Sequence, residues 1–575
     1  MQMITFCVFL PLTLLLMAVA FSDQLRSRVL AAEPVRSMEE KLHISGRMYW
    51  LLFVLIMAAG VFSRCWRFLE LPLGYNQDGL MIGVEAYCLA MGGVDQLGTS
   101  WPTYFEAWGF VHMSPLYAWV MIPFMKVLGS TRLALRLPML LFSLAMLPVI
   151  WDFARRMFGK NFALLALFVI AINPWHVLQS RWAIDCNIMP HFLMIACYLL
   201  LLGRKSRAML YLSMVFFALS IYGYGLACFS VPVILLCMAA YYVARKKANI
   251  LDILVCVVIF VGLAGPFFYT MAINAFGLEG VQLGPITLPF FAESKRTNDM
   301  PFFRLNPYAA ILYNLIGFLY ATVIGGFAEN YYAMDLTHVM YRFMSPVIVY
   351  AVYRMWRDER GMALRKEDHA ARDGMMIVLS WMLGSLVNGL LIGGGVNRND
   401  VVYYALIMVC AYGLYLLAKR FKTGFVLTVV MLVVSFVSMN VTYFTDEAYQ
   451  NSYRVFHNGL VEALEDTWDW DYDEVYVSEA SGGSVLAEAA ILYAHDIDYA
   501  GRSDQRELLN SKGEPTGWYF SERYKVVQFD SFELDPEACS VYIIAQSEKG
   551  YFDEELYLLT DYGDYAAAYP RYWAE

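Results

Sequence analysis

Charge is scarce in this chain. Asp, Glu, Lys and Arg together make up 16% of its 575 residues, against about a quarter in a water-soluble domain. With 59% hydrophobic residues and a mean hydropathy of +0.49, a soluble enzyme is excluded. Paired cysteines are also missing. The ten cysteines, from Cys7 to Cys539, form no Cys-x-x-Cys pair and mostly sit in apolar runs, which argues against a disulfide framework, a zinc site, an iron–sulfur cluster or haem attachment. No basic stripe interleaves with aromatics, so nucleic acid is not an expected partner. Gly92-Gly93 and Gly393–Gly395 lack the strand–turn–helix setting of a phosphate loop. No internal repeat or low-complexity tract is present.

What the chain does have is charge sorted by position. From Asp446 onward there are 28 acidic and 8 basic residues, leaving 23 acidic and 34 basic in the rest. Lys and Arg stay on the cytoplasmic side of a membrane protein. The basic clusters are Arg26 to Arg47, Arg155/Arg156/Lys160, Arg204/Lys205/Arg207, Arg245/Lys246/Lys247, Arg354 to Arg372 and Lys419/Arg420/Lys422. Placing all of them in the cytoplasm predicts twelve spans: 4–21, 48–63, 137–153, 162–175, 188–203, 208–223, 226–243, 250–269, 342–356, 374–393, 401–418 and 423–443. The first run has its basic residues after it, unlike a cleaved signal peptide. Two further apolar segments, 115–128 and 306–325, break the alternation and read as interfacial or re-entrant. An even number of spans puts both termini outside the cell membrane.

The expected architecture is therefore a multi-span α-helical membrane protein with a C-terminal extracytoplasmic α/β domain. Residues 1–47 are an extra span and cytoplasmic loop, 48–443 the membrane domain with a first outer loop at 64–111, and 444–575 the acidic domain. In that domain Tyr449–Thr467 reads as a helix, and Glu474–Ser478, Tyr524–Phe529 and Cys539–Ala545 as strands.

Polar residues gather in the outer loops. Asn76-Gln77-Asp78-Gly79 opens a helix-like stretch, with Asp78 at the predicted N-cap, where it can cap or do chemistry. Glu85, two turns on, reads as a structural hydrogen-bonding group. Glu106, His112 and Ser114-Pro115-Leu116-Tyr117 follow, then Arg132 and Arg136 in Arg-Leu-Ala-Leu-Arg-Leu-Pro. His176, Arg181 and Asp185 occupy a later outer loop, and Val396-Asn397-Arg398 precedes span 401–418. Charges collected at a membrane interface either pair or work.

The order of these motifs resembles the GT-C glycosyltransferases, in particular the protein O-mannosyltransferase and aminoarabinose-transferase group. An outer-loop acid is followed by Ser-Pro-Leu-Tyr, by Arg-Leu-Pro at the start of a span, and by Arg-Arg-Met-Phe-Gly at its end. Tyr222-Gly223-Tyr224-Gly225 and Val396-Asn397-Arg398 extend the likeness across roughly 48–443. The group's acid usually occurs as Asp-Glu; here it is Asp78-Gly79. The resemblance implies Asp78 as general base and Asp185 as a second outer-loop acid, the alternative for Asp185 being an ion pair with Arg181.

The implied reaction moves a sugar from a polyprenyl-phosphate donor to a hydroxyl acceptor on protein, glycan or lipid, on the extracytoplasmic face. A carboxylate deprotonates the acceptor and guanidinium groups balance the departing phosphate. Arg136 and Arg181 are the expected phosphate contacts, with Arg398 third; the alternative for each is snorkelling at the interface. Glu106 and His112 are expected substrate contacts, and His112 and His176 are also the loop residues most easily incidental. No cofactor and no divalent metal is expected, although the oligosaccharyltransferase branch uses one. The competing reading is a transporter or flippase of lipid-linked sugars, which would concentrate broken Gly/Pro helices at mid-membrane. A scaffold displaying the acidic domain would leave the outer-loop constellation without a purpose.

Overall fold

Hydrocarbon offers the backbone no hydrogen bonds, so the apolar runs fold as helices that pair every N–H and C=O internally. The computed structural model describes residues 4–41, 44–108, 111–291, 306–324, 334, 337–364, 370–392, 395–452, 454–479, 483–497, 506–509, 513, 515–521 and 523–573. Among them, nine helices are long and apolar enough to cross a membrane. They are Gly46–Cys65, Arg132–Phe158, Asp185–Gly203, Ala227–Ala244, Ile250–Phe276, Pro307–Ile324, Ala370–Leu391, Asn397–Arg420 and Lys422–Thr445. Cys7–Phe21 and Asp23–Leu30 make a tenth span if the pair is one crossing, bent by 98°. Ser22 causes the break: its hydroxyl caps the second helix by accepting from the Leu25 amide at 3.3 Å.

This differs from the twelve expected spans. Lys160–Ala171 and Arg207–Gly223 are shorter apolar helices of 12 and 17 residues, the second at the lower end of the roughly 17–25 residues that cross a membrane. Ser345–Leu364 carries charges from Arg354 onward along its second half. Pro307–Ile324, which the charge alternation left open, is long enough to cross. Leu116–Leu128, with 13 residues, reaches about 20 Å, short of a hydrocarbon core of roughly 30 Å.

Among the described residues, four short strands lie in the loops between the membrane helices. β1 (Phe105–Ala107) and β2 (Val111–Met113) form one hairpin, and β3 (Val281–Leu283) and β4 (Ile286–Leu288) another. The second hairpin closes on the first outer loop, where the Thr103 amide donates to the Thr287 carbonyl at 3.0 Å.

The acidic C-terminal region contains a mixed seven-stranded sheet built from β5 (Glu474–Ser478), β6 (Arg506–Leu509), β7 (Pro515–Tyr519), β8 (Tyr524–Val527), β9 (Ser540–Ala545), β10 (Tyr557–Tyr562) and β11 (Tyr565–Pro570), in the order β10-β11-β9-β5-β8-β7-β6. β5 lies at its centre, parallel to both β8 and β9. β5, β8 and β9 match the apolar runs read as strands; the other four alternate less clearly and were not expected. The expected helix 449–467 is broken into Glu447–Gln450, a turn at Arg454–Phe456 and Leu460–Asp466. His457 and Gly459 take φ of 42° and 96° at the break. A Cβ on Gly459 would lie 1.4 Å from the Tyr562 carbonyl oxygen, so only glycine fits there. At this break the Phe456 carbonyl accepts from the Tyr75 amide, joining the domain to the first outer loop.

Candidate active site

The helix Gln77–Gly92 follows the first apolar span, Gly46–Cys65, after an irregular segment. Its N-cap is Asn76 rather than Asp78: the Asn76 amide oxygen accepts from the amides of Asp78 at 3.0 Å and Gly79 at 3.4 Å. Asn76 and Asp78 are both good capping types, and the residue with extended backbone just outside the helix takes the role. Asp78 therefore stands in the first helical turn, half-buried, with its side chain directed elsewhere. Its Oδ1 accepts from the indole N–H of Trp108 at 3.1 Å. Trp108 reaches it from the tip of the β1–β2 hairpin with φ of 57°. On that hairpin Glu106 and His112 are direct cross-strand partners, which puts two of the sequence candidates side by side. The His112 ring also stacks on Phe291, 4.1 Å between centroids. Glu85 is a structural group, as expected: its carboxylate accepts from the Gln96 amide at 3.1 Å and side chain at 2.7 Å.

Asp185 opens the turn before helix Met189–Gly203. Its carboxylate accepts two backbone N–H groups, from Ser114 at 3.0 Å and Cys186 at 2.7 Å. Ser114 in turn accepts from the Gly225 amide at 3.1 Å. The Ser-Pro-Leu-Tyr and Tyr-Gly-Tyr-Gly motifs thus meet at Asp185. Glycine is required at the first position of the second motif, by backbone, whereas at the second the close neighbour is a side-chain hydroxyl. A Cβ on Gly223 would come 2.9 Å from the Met189 Cα, and one on Gly225 2.5 Å from the Tyr104 hydroxyl.

A third carboxylate, Asp400, was not singled out from the sequence. It sits in the turn Asn397–Val402, 1% exposed, and apart from the amide of Val401 no donor among the described residues faces its oxygens. The turn Asp185–Ile188 packs against both the helix carrying Asp78 and the turn carrying Asp400, so the three acid-bearing segments converge there. An acid one residue from the start of an apolar span was the available signal. Arg398, two residues earlier, is exposed, and its guanidinium has no partner among the described residues. Gly393 and Gly394 lie outside them.

The other two arginines, Arg136 and Arg181, lie against backbone carbonyls. Arg136 donates to the carbonyls of Pro72 at 2.9 Å and Gly74 at 2.7 Å, and more weakly to Phe68 and Leu69. Arg181 donates to the carbonyls of Ser63, Arg64, Trp66 and Leu71 at 2.5–3.3 Å and lies against the rings of Tyr443 and Phe444. Both are buried. Neither snorkels, and the Arg181–Asp185 ion pair, the alternative reading of Asp185, is not among the ion pairs of the described residues. Their donors pair carbonyls of the last turn of helix Gly46–Cys65, which have no partner within the helix, and of the irregular backbone that follows it to Gly74. His176 is structural as well. Burial and the neighbouring Arg64 hold it well below its ordinary pKa, so its neutral Nδ1 accepts from the Arg64 guanidinium at 2.7 and 3.1 Å. Nε2 is then the protonated nitrogen and faces the Tyr404 hydroxyl at 2.8 Å.

The departure from Asp-Glu at Asp78-Gly79 has a steric cause. A Cβ on Gly79 would lie 2.5 Å from the Ala183 carbonyl oxygen. Close backbone approach at this point brings the segment carrying Asp185 against the helix carrying Asp78. Gly79→Ala should therefore lower the thermal midpoint of the purified protein, by the equivalent of about 1–3 kcal/mol. An unchanged midpoint would show that the 182–185 segment has slack, and the steric account would fail.

Comparison with known proteins gives one family match. Residues 112–269 match the model for dolichyl-phosphate-mannose-protein mannosyltransferase. The match takes in His112, Arg136, Arg181 and Asp185 and lies outside Asp78, Glu106, Arg398 and Asp400. No curated protein matches the chain by sequence. Among solved structures, ArnT from Cupriavidus metallidurans in the apo state is 13% identical with a TM-score of 0.49, covering 91% of this chain and 98% of its own. The Archaeoglobus fulgidus oligosaccharyltransferase in complex with Zn and sulfate is 13% identical with a TM-score of 0.47, covering 76% of this chain. The present chain spans 61% of the length of that protein. In motif order and over the matched segment, the chain resembles the GT-C membrane glycosyltransferases.

Proposed function

We propose that this chain is a membrane glycosyltransferase of the GT-C type, transferring a sugar from a polyprenyl-phosphate donor to a hydroxyl acceptor outside the cytoplasm. The observation that carries the reading is the packing of the segments bearing Asp78, Asp185 and Asp400 against one another, with Trp108 on Asp78 and Asp185 inside the stretch that matches a mannosyltransferase family. Asp78 is the general base. Of the three carboxylates it is the least buried, and it is oriented by an indole rather than locked by backbone amides. A base must reach the acceptor hydroxyl within hydrogen-bond distance, and access decides among the three. The C–O bond to the donor phosphate breaks as the acceptor oxygen attacks the anomeric carbon, and the acceptor proton passes to Asp78. Polyprenyl phosphate leaves with the bonding electron pair.

Arg398 is the phosphate contact in this reading. Its guanidinium, exposed and without a partner among the described residues, stands two residues from Asp400 at the same convergence, and forked donors suit phosphate oxygens. Glu106 and His112, paired across the hairpin, contact the acceptor or the sugar. Both termini and the acidic domain lie on the outer face.

The test is incubation of the purified protein with a panel of radiolabelled polyprenyl-phosphate sugars, reading release of polyprenyl phosphate. Release is expected with at least one donor and should persist in EDTA, because the leaving phosphate is balanced by arginine. Arg398→Gln should reduce it by roughly 10²-fold or more, the scale of one lost transition-state contact. Movement of intact donor across vesicles without release would favour the flippase reading instead.

A further inference from the structure

Helix Arg207–Gly223 has the candidate active site at its C-terminal end, through Gly225 and Ser114. At its other end, about 25 Å away, lies a cavity of about 550 Å³ that the proposed reaction does not use. Four helix ends meet there: Met189–Gly203, Arg207–Gly223, Ala227–Ala244 and Ile250–Phe276. Its wall carries Arg204, Lys205, Arg207, Lys246 and Lys247 against a single carboxylate, Asp252. Asp373 stands behind, paired with Lys247 and 3.6 Å from Arg204, and the Arg207 Nε is 3.2 Å from Asp252. Asp252 is also engaged by the Tyr211 hydroxyl at 2.8 Å and by the Asn249 amide at 3.2 Å. Lys205 and Lys246 remain exposed and meet no carboxylate among the described residues.

The cavity continues into an apolar groove. A hollow of about 280 Å³ shares Leu210, Ala248 and Asp252 with it. It runs on between the helices past Leu235, Ala239, Val257 and Phe260. Basic pockets between helices on the positively charged face of a membrane protein recognise anionic lipid headgroups. A soluble anion would have no use for the groove, and a zwitterionic lipid would leave the surplus of cations unbalanced.

We propose that the cavity and the groove form one site for an anionic phospholipid of the leaflet on the basic face. The headgroup phosphate lies among Arg204, Lys205, Lys246 and Lys247, and an acyl chain fills the groove. The site is separate from the donor site and does not rest on the proposed transferase reaction.

The experiment measures the thermal midpoint of delipidated full-length protein in detergent. The additions are phosphatidylglycerol, phosphatidylethanolamine with the same acyl chains, or inorganic phosphate. Phosphatidylglycerol is expected to raise the midpoint by several degrees and the other two to leave it within a degree. Lys205→Gln/Lys246→Gln should remove most of the rise, and Ala239→Phe, which fills the groove without altering charge, should remove it too. Lys205→Arg/Lys246→Arg should keep it and serves as the folding control. No response to phosphatidylglycerol, or an equal response to phosphatidylethanolamine, would overturn the proposal. So would an equal response to phosphate alone, which would make the cavity a soluble-anion site. A full response in both the Gln pair and Ala239→Phe would place the lipid elsewhere.

Discussion

Asp78→Asn is expected to lower sugar transfer by about 10²–10⁴-fold, the contribution of a positioned general base, while leaving donor binding intact. The substitution is close to isosteric. The amide oxygen of Asn can still accept from the Trp108 indole, and the helix keeps its cap because Asn76, not Asp78, provides it. The substitution also removes a negative charge from the first helical turn, worth about 0.3–1 kcal/mol against the helix dipole. Folding and membrane insertion should survive, so the loss of transfer reads on chemistry. Transfer and donor binding are measured on the same purified sample. A normal rate would remove Asp78 from the mechanism and direct the search to Asp400, the next carboxylate at the convergence. A flippase would lose little, since no proton needs to be taken from an acceptor.

Arg181→Gln is expected to have its main effect on stability. The guanidinium is buried and donates to four carbonyls of the 63–71 segment. Gln can satisfy one or two of them at most. Each buried carbonyl left unpaired costs about 1–3 kcal/mol, so a total of roughly 3 kcal/mol or more should appear as a large fall in the thermal midpoint. Arg181→Lys should recover only part of it, because an ammonium lacks the planar fork that spans several carbonyls. Any loss of transfer would follow from displacement of the first outer loop, which makes Arg181 a positioning residue. The contrary result is a wild-type midpoint with donor binding abolished. That outcome would return Arg181 to the phosphate, as the sequence reading had it.

The contrast between Arg181 and Arg398 shows where reading the sequence stops. Both are arginines at the outer edge of an apolar run, and no local feature separates them. The structure separates them by what each meets: one is enclosed by irregular backbone that needs donors, the other faces outward beside Asp400. Asp78 and Asn76 differ in the same way. Both are capping types two residues apart, and only the direction in which the chain enters the helix decides between them.

The class of protein was determined by the sequence alone. Scarce charge, long apolar runs and basic clusters are sums over neighbouring residues, and the bilayer responds to such sums through transfer energy and the retention of positive charge. The acidic domain, the outer-loop acids and the order of motifs were legible for the same reason, since each is local. The tertiary structure alone decided that Gly79 is needed for the Ala183 carbonyl, that the turn carrying Asp400 packs with the segments carrying Asp78 and Asp185, and that Arg136 and Arg181 donate to backbone carbonyls. Those outcomes rest on partners far away in the chain, 104 residues from Gly79 to Ala183 and 215 from Asp185 to Asp400. A hydrogen bond is satisfied by whichever group folding brings within about 3 Å, and composition and spacing carry no record of that choice.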